Sequence, residues 1–304
     1  MNAVTDWLGA YGTYIDTSRC FAGATVFGWT FDATVTLPLL ITAALYYAGV
    51  ARLWLRAGRF HGASLTQVAC FSAGWLVLAT ALVSPLHEAS RNVFTAHMIE
   101  HELVMVVAAP LMVVAKPLGP LLWTLPQPAR RRIGLLFKSS WWVHTWHLLT
   151  IPLVATALHG IAIWLWHLPA FFDAALVNEP LHWLQHASFL FTALLFWWSL
   201  FAAPAARSVY GQSIGHLFAT AGHTSLLGLI FFLSPRILYP LQSAGGAAWG
   251  LGPLEDQQLA GLVMWIPSGL VYAGAALVCA ALWISRTSAT IRVDTMIRKP
   301  EWLP

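Results

Sequence analysis

Charge is scarce in this chain. Only 9% of its 304 residues are Asp, Glu, Lys or Arg, against 58% hydrophobic residues and a mean hydropathy of +0.67. Soluble domains carry about one quarter charged residues, so an ordinary water-soluble globule is excluded. Cysteine is scarcer still. Cys20, Cys70 and Cys279 share neither a CxxC nor any other close spacing, which argues against a disulfide framework and against a thiolate metal cluster. Each reads as a small buried apolar side chain. The N-terminus lacks a basic stretch followed by an apolar one, so no cleaved signal peptide is expected and the first apolar segment must itself direct insertion. Internal repeats and low-complexity tracts are also missing. The formal net charge of +4 points neither to nucleic acid nor to an acidic partner.

Long apolar runs are what the chain has instead. Segments near 34–55, 66–83, 93–115, 146–168, 182–201, 213–233 and 259–284 each reach about the 20 residues that cross a bilayer. Pro152 falls in the first turn of the fourth, Pro110 should close or bend the third, and Pro267 should kink the seventh. The stretch Pro117-Leu118-Gly119-Pro120-Leu121-Leu122-Trp123 is too short and broken to span and should lie along the interface, anchored by Trp123. Of the 16 Lys and Arg, all but Arg19, Arg91 and Arg236 fall in connections after the first, third, fifth and seventh spans or in the tail. By the positive-inside rule this places the N-terminus outside and the C-terminus in the cytoplasm. The expected fold is therefore all-α, a polytopic membrane bundle of seven transmembrane helices over 34–284. An extracytoplasmic segment, 1–33, precedes it and a cytoplasmic tail, 285–304, follows. Membrane lipid is its solvent and nucleic acid is no partner.

Histidines lie at membrane depth in these runs. An ionisable group in hydrocarbon costs at least a few kcal/mol and is seldom there for packing alone. His97 and His101 open the third run and His182 and His186 the fifth; each pair is four residues apart and shares a helix face. His167 ends the fourth, and His159 lies eight residues, about 12 Å, closer to the midplane. The seventh begins at Glu255-Asp256. With alternating topology, four helices bring these groups to one level in the outer leaflet. His61, His144 and His147 fall on the other side, among arginines and tryptophans.

Neutral imidazole, together with the thioethers of Met98 and Met105 and no paired thiolate, suits copper, Cu(I) above all. Zinc remains open from the histidines alone. Glu100 and Glu102 flank His101 and could orient a ligand. Each signal has a plainer reading. An i, i+4 His pair at a helix end can be an interfacial polar cap, and His159 and His223, deeper in the membrane, could be copper ligands or could simply hydrogen-bond a neighbouring helix. His216 reads as structural, and His87 with Glu88 as a solvated turn. Glu255 and Asp256 suit the positive end of the seventh helix as well as a functional role.

The motifs resemble a known family. His97-Met98-Ile99-Glu100-His101 followed by Ala108-Ala109-Pro110-Leu111 is similar to the HMxxH…APL segment of the polytopic CtaG-type cytochrome c oxidase assembly proteins. The stretch from His167 to Leu176, His182 and His186 with Phe196-Trp197-Trp198, and Gly252-Pro253-Leu254-Glu255-Asp256-Gln257-Gln258 with Met264-Trp265 resemble further signatures of that family. The resemblance implies a non-enzymatic factor in the bacterial plasma (inner) membrane that assembles a haem–copper terminal oxidase. Copper would pass from an extracytoplasmic donor to the oxidase catalytic subunit. Carried over motif by motif, the candidate residues are His97, His101, His167, His182, His186 and Asp256. Two other functions compete: a redox protein with b-type haem on paired histidines, and a copper transporter. The first would pair His101 with His186, or His159 with His223. The second needs donors through both leaflets, and most lie in one.

Overall fold

The computed structural model describes residues 25–26, 28–201, 207–243 and 245–297. Arg19 and Cys20 lie outside the described residues. The chain is an all-α bundle, apart from a two-residue antiparallel pairing of β1 (Thr25–Val26) with β2 (Trp29–Thr30). Gly28 closes that turn with φ +79°, a conformation only glycine adopts cheaply.

Six of the helical segments are long and apolar enough to cross a membrane. They are α1 (Ala33–Ala57), α2 (Leu65–Val83), Phe94–Ala115, α11 (Glu179–Phe201), α12 (Arg207–Leu233) and α14 (Pro253–Ile297). A seventh span exists if a bent pair is counted as one: α8 (Ser140–Leu149) and α9 (Pro152–Trp166), 66° apart. The fourth run is thus not the straight 146–168 helix that hydropathy predicts. Pro152 has no N–H to give the preceding turn and forces Ile151 into extended backbone, φ −60° and ψ 125°. Shorter helices fill the connections: α3 (Pro85–Ser90), α6 (Leu118–Trp123), α7 (Gln127–Phe137), α10 (Pro169–Val177) and α13 (Pro240–Ser243).

Prolines act differently in the third and seventh spans. Phe94–Ala115 is built as α4 (Phe94–Glu102), a π-helical turn (Leu103–Ala108) and α5 (Ala109–Ala115). The wide turn lies immediately before Pro110, whose ring cannot donate to the ladder, and the helix continues instead of closing. A carbonyl released there, that of Met105, accepts from Trp197 Nε1 at 3.0 Å. In the seventh span α14 runs through Pro267 without a break.

Close packing fixes the remaining geometry. α12 and α14 pair most extensively and cross at Gly228 and Gly261, where a Cβ on either would lie 2.7 Å or 2.5 Å from the other's carbonyl oxygen. Small residues let transmembrane backbones approach in this way. α6 lies against α1 and carries Trp123, whose ring holds the Arg130 guanidinium 4.1 Å from its centroid. The central core joins Phe94, Met98, Met105, Phe172, Phe189, Phe196, Trp197, Phe231 and Tyr239 from several spans. Of the described cysteines, Cys279 is buried in this core and Cys70 is half-buried.

Candidate metal centre

α4 brings His97 and His101 to the bundle interior, and its start is held in an unusual way. Its own N-cap residue is Val93, which has no side chain able to accept a hydrogen bond. The fully buried Asp256 of α14 does the capping from across the bundle. Its carboxylate accepts Phe94 N–H at 2.8 Å, Thr95 N–H at 2.9 Å and the Thr95 hydroxyl at 2.6 Å. An anion on the first free amides of a helix also complements the helix dipole. Glu255 serves its own helix, accepting the Gly252 N–H at 2.8 Å. The neighbouring Gln257 accepts Leu238 N–H at 2.6 Å and donates to Arg236 O at 3.1 Å, tying the loop after α12 to α14.

Five histidines converge on the point these anchors define. Ring centroids lie 4.3 Å apart for His97 and His101, and 4.5 Å for His182 and His186. Between helices the separations are 5.1 Å for His101–His186, 5.9 Å for His97–His182 and 6.0 Å for His101–His167. None is more than 8% exposed. Phe172 and Phe189 close the cluster, 5.0 Å from His97 and 4.7 Å from His101.

The hydrogen bonds settle which nitrogens are open. His97 Nδ1 is 3.2 Å from Ser90 O, and His167 Nδ1 is 2.7 Å from Ile163 O. Carbonyls only accept, so both rings carry their proton on Nδ1 and turn a bare Nε2 lone pair inward. Those two Nε2 atoms, and both nitrogens of His101, are buried with no hydrogen-bond partner among the described residues. His182 and His186 meet Nε2 to Nε2 at 3.0 Å. The carbonyls are themselves braced: Gln242 Nε2 donates to Ser90 O at 2.6 Å, and the Tyr239 hydroxyl donates to His167 O. Tyr239 and Asp173, in the connections beside the cluster, both have their pKa raised by burial.

His87 is the residue that sequence reasoning missed. It is not in a solvated turn but 5% exposed on α3, with Nδ1 2.8 Å from Glu100 Oε1. The same carboxylate oxygen lies 3.6 Å from His186 Nε2. Ser84-Pro85, a capping residue followed by proline at the first helical position, is a helix-start signal that could have placed His87 on a helix. The side to which that helix turns had no signature. Glu102 is buried elsewhere, beside Tyr272.

Other candidates stand apart. Met98 and Met105 are buried in the apolar core. His159 hydrogen-bonds Thr192 at 3.1 Å, and His216 is 3.1 Å from Thr156 Oγ1. His61, His144 and His147 are exposed. Among the described residues, no three His, Cys, Asp or Glu side chains are already arranged as around a metal ion. The cluster has a coordinating composition and open lone pairs, with its rings packed edge to face.

A family model described as cytochrome c oxidase caa3 assembly factor (Caa3_CtaG) matches residues 44–286. No curated protein and no solved structure matches the chain. The matched range takes in every span but the first turns of α1, the histidine cluster and its Asp256 anchor, and the chain belongs to the cytochrome c oxidase caa3 assembly factor family.

Proposed function

We propose that this assembly factor is a non-enzymatic copper carrier. It would hold Cu(I) as cargo in the cluster of His97, His101, His167, His182 and His186 and pass it to the copper centre of the oxidase catalytic subunit. The reading places it in the bacterial plasma membrane with the cluster toward the outer face, where an extracytoplasmic donor can load it. One observation carries the proposal. Buried polar atoms are nearly always paired, yet neighbouring His97, His101 and His167 hold buried nitrogens without a hydrogen-bond partner among the described residues. Backbone carbonyls hold two of those rings in the tautomer a metal requires, the usual outer-shell device of a histidine metal site.

The donor set suits the chemistry. Neutral imidazoles in an apolar surround favour a soft monovalent ion and offer little to calcium or magnesium, which need several oxygens. A site whose rings must turn to complete coordination also suits cargo that is released again. The same packing supports copper over haem, since His101 and His186 touch edge to face at 5.1 Å with no slab between them for a macrocycle. His101→Ala and His186→Ala are expected to lower bound copper in purified protein while the variants still insert and elute as folded bundles. Unchanged copper stoichiometry in both variants would overturn the assignment.

A further inference from the structure

Deeper in the bundle, away from this cluster, His159 of α9 and His223 of α12 repeat its chemistry on a smaller scale. His159 is fully buried, and its Nδ1 lies 3.1 Å from Thr192 Oγ1. Thr192 donates its own hydroxyl proton to Ser188 O at 2.8 Å. It can therefore only accept from His159, which fixes the imidazole proton on Nδ1 and leaves Nε2 bare. The ring is held flat against Phe196, 5.4 Å between centroids. That Nε2 is buried and has no hydrogen-bond partner among the described residues.

His223 reaches the same place from α12. Both of its ring nitrogens are buried and unpartnered among the described residues. It approaches α9 at Gly160, where an added Cβ would stand 3.4 Å from His223 Nε2. A single methyl there would only touch the imidazole, whereas a longer side chain would crowd it. His223 lies close enough to His159 to act on its charge. Three orphaned nitrogens in one apolar spot are costly.

We propose that His159 and His223 form a second, deeper site that takes one Cu(I) ion between His159 Nε2 and a nitrogen of His223. Two neutral donors on opposite sides suffice for a closed-shell monovalent copper ion, whereas structural zinc takes four ligands and calcium at least six oxygens. Binding forms two N–Cu coordinate bonds as the ion leaves its carrier, releases no proton because both imidazoles are already neutral, and changes no oxidation state. His159 lies eight residues before His167 on α9, about 12 Å along the helix. The deep site is therefore a separate stop for the ion. This inference rests on the reading of the protein as a Cu(I) carrier.

Anaerobic titration of the detergent-purified full-length protein with Cu(I), against a coloured Cu(I) chelator, tests it; Ag(I) serves as a redox-inert second probe. Wild type should bind two ions. His159→Leu, His223→Leu and Gly160→Leu, the last crowding His223 without removing an imidazole, should each bind one. His101→Ala/His186→Ala should also keep one, and X-ray absorption on that variant should report two nitrogen ligands and no sulfur. If wild type binds a single ion that only the His101→Ala/His186→Ala change removes, the deep site is wrong and the carrier reading stands. Two ions retained by all three deep-site variants would likewise overturn it. If wild type binds no Cu(I) or Ag(I), both the deep site and the carrier reading fall.

Discussion

Removing the Asp256 carboxylate should unfasten the helix that carries two of the five cluster histidines. Asp256 is fully buried and accepts two backbone amides and one hydroxyl at the start of α4, where Val93 supplies no cap. Hydrogen bonds to a charged group contribute about 1.5–3 kcal/mol each, and a buried donor left unsatisfied costs about 1–3 kcal/mol. Asp256→Ala orphans two amides that no water reaches cheaply, so local stability at the α4 start should fall by roughly 3–5 kcal/mol. Asp256→Asn keeps one carbonyl acceptor and should lose about 1–2 kcal/mol. Amide hydrogen exchange at Phe94 and Thr95 in detergent reads this directly. Since about 1.4 kcal/mol is a factor of ten, the Ala variant should lose about two to three and a half powers of ten in protection and the Asn variant about one. Protection within tenfold of wild type in Asp256→Ala would refute the capping argument. So would an Asn variant that behaves worse than Ala.

Two further predictions follow from the cluster's supports. His87→Ala takes away the 2.8 Å partner of Glu100 and frees a carboxylate that also faces His186; Cu(I) affinity by chelator competition should drop about 10–100-fold with stoichiometry retained, and an unchanged affinity would make His87 a bystander. Trp197→Phe removes the donor to the Met105 carbonyl in the π turn; thermal unfolding in detergent should show a loss of about 1–3 kcal/mol, larger than for Trp198→Phe, and equal losses would contradict the role given to that bond.

Much of the fold was legible because hydrocarbon demands it. Runs of apolar residues must become helices whose backbone groups pair internally, and six spans stand within about four residues of where hydropathy puts their apolar cores, α12 and α14 extending further at their ends. The 66° bend between α8 and α9 was half legible: Pro152 marked the place, but a hydropathy window averages across it. Convergence of the histidines was visible in the i, i+4 pairs, because the two members of such a pair must share a face. What the sequence hid is contact between elements. His87 reaches Glu100 only because α3 folds back on α4, and Asp256 caps a helix 161 residues away. The π turn was hidden too, since one extra residue in a turn leaves no mark in composition, yet it shifts the face presented by everything beyond Glu102.

The central claim is that the buried imidazoles hold copper. The most direct test is metal analysis with an absorbance spectrum on detergent-purified full-length protein, before and after anaerobic Cu(I) loading. At least one tightly held copper per chain and no Soret band are expected. Stoichiometric iron with a Soret band would contradict that claim and assign the histidines to axial ligation of haem.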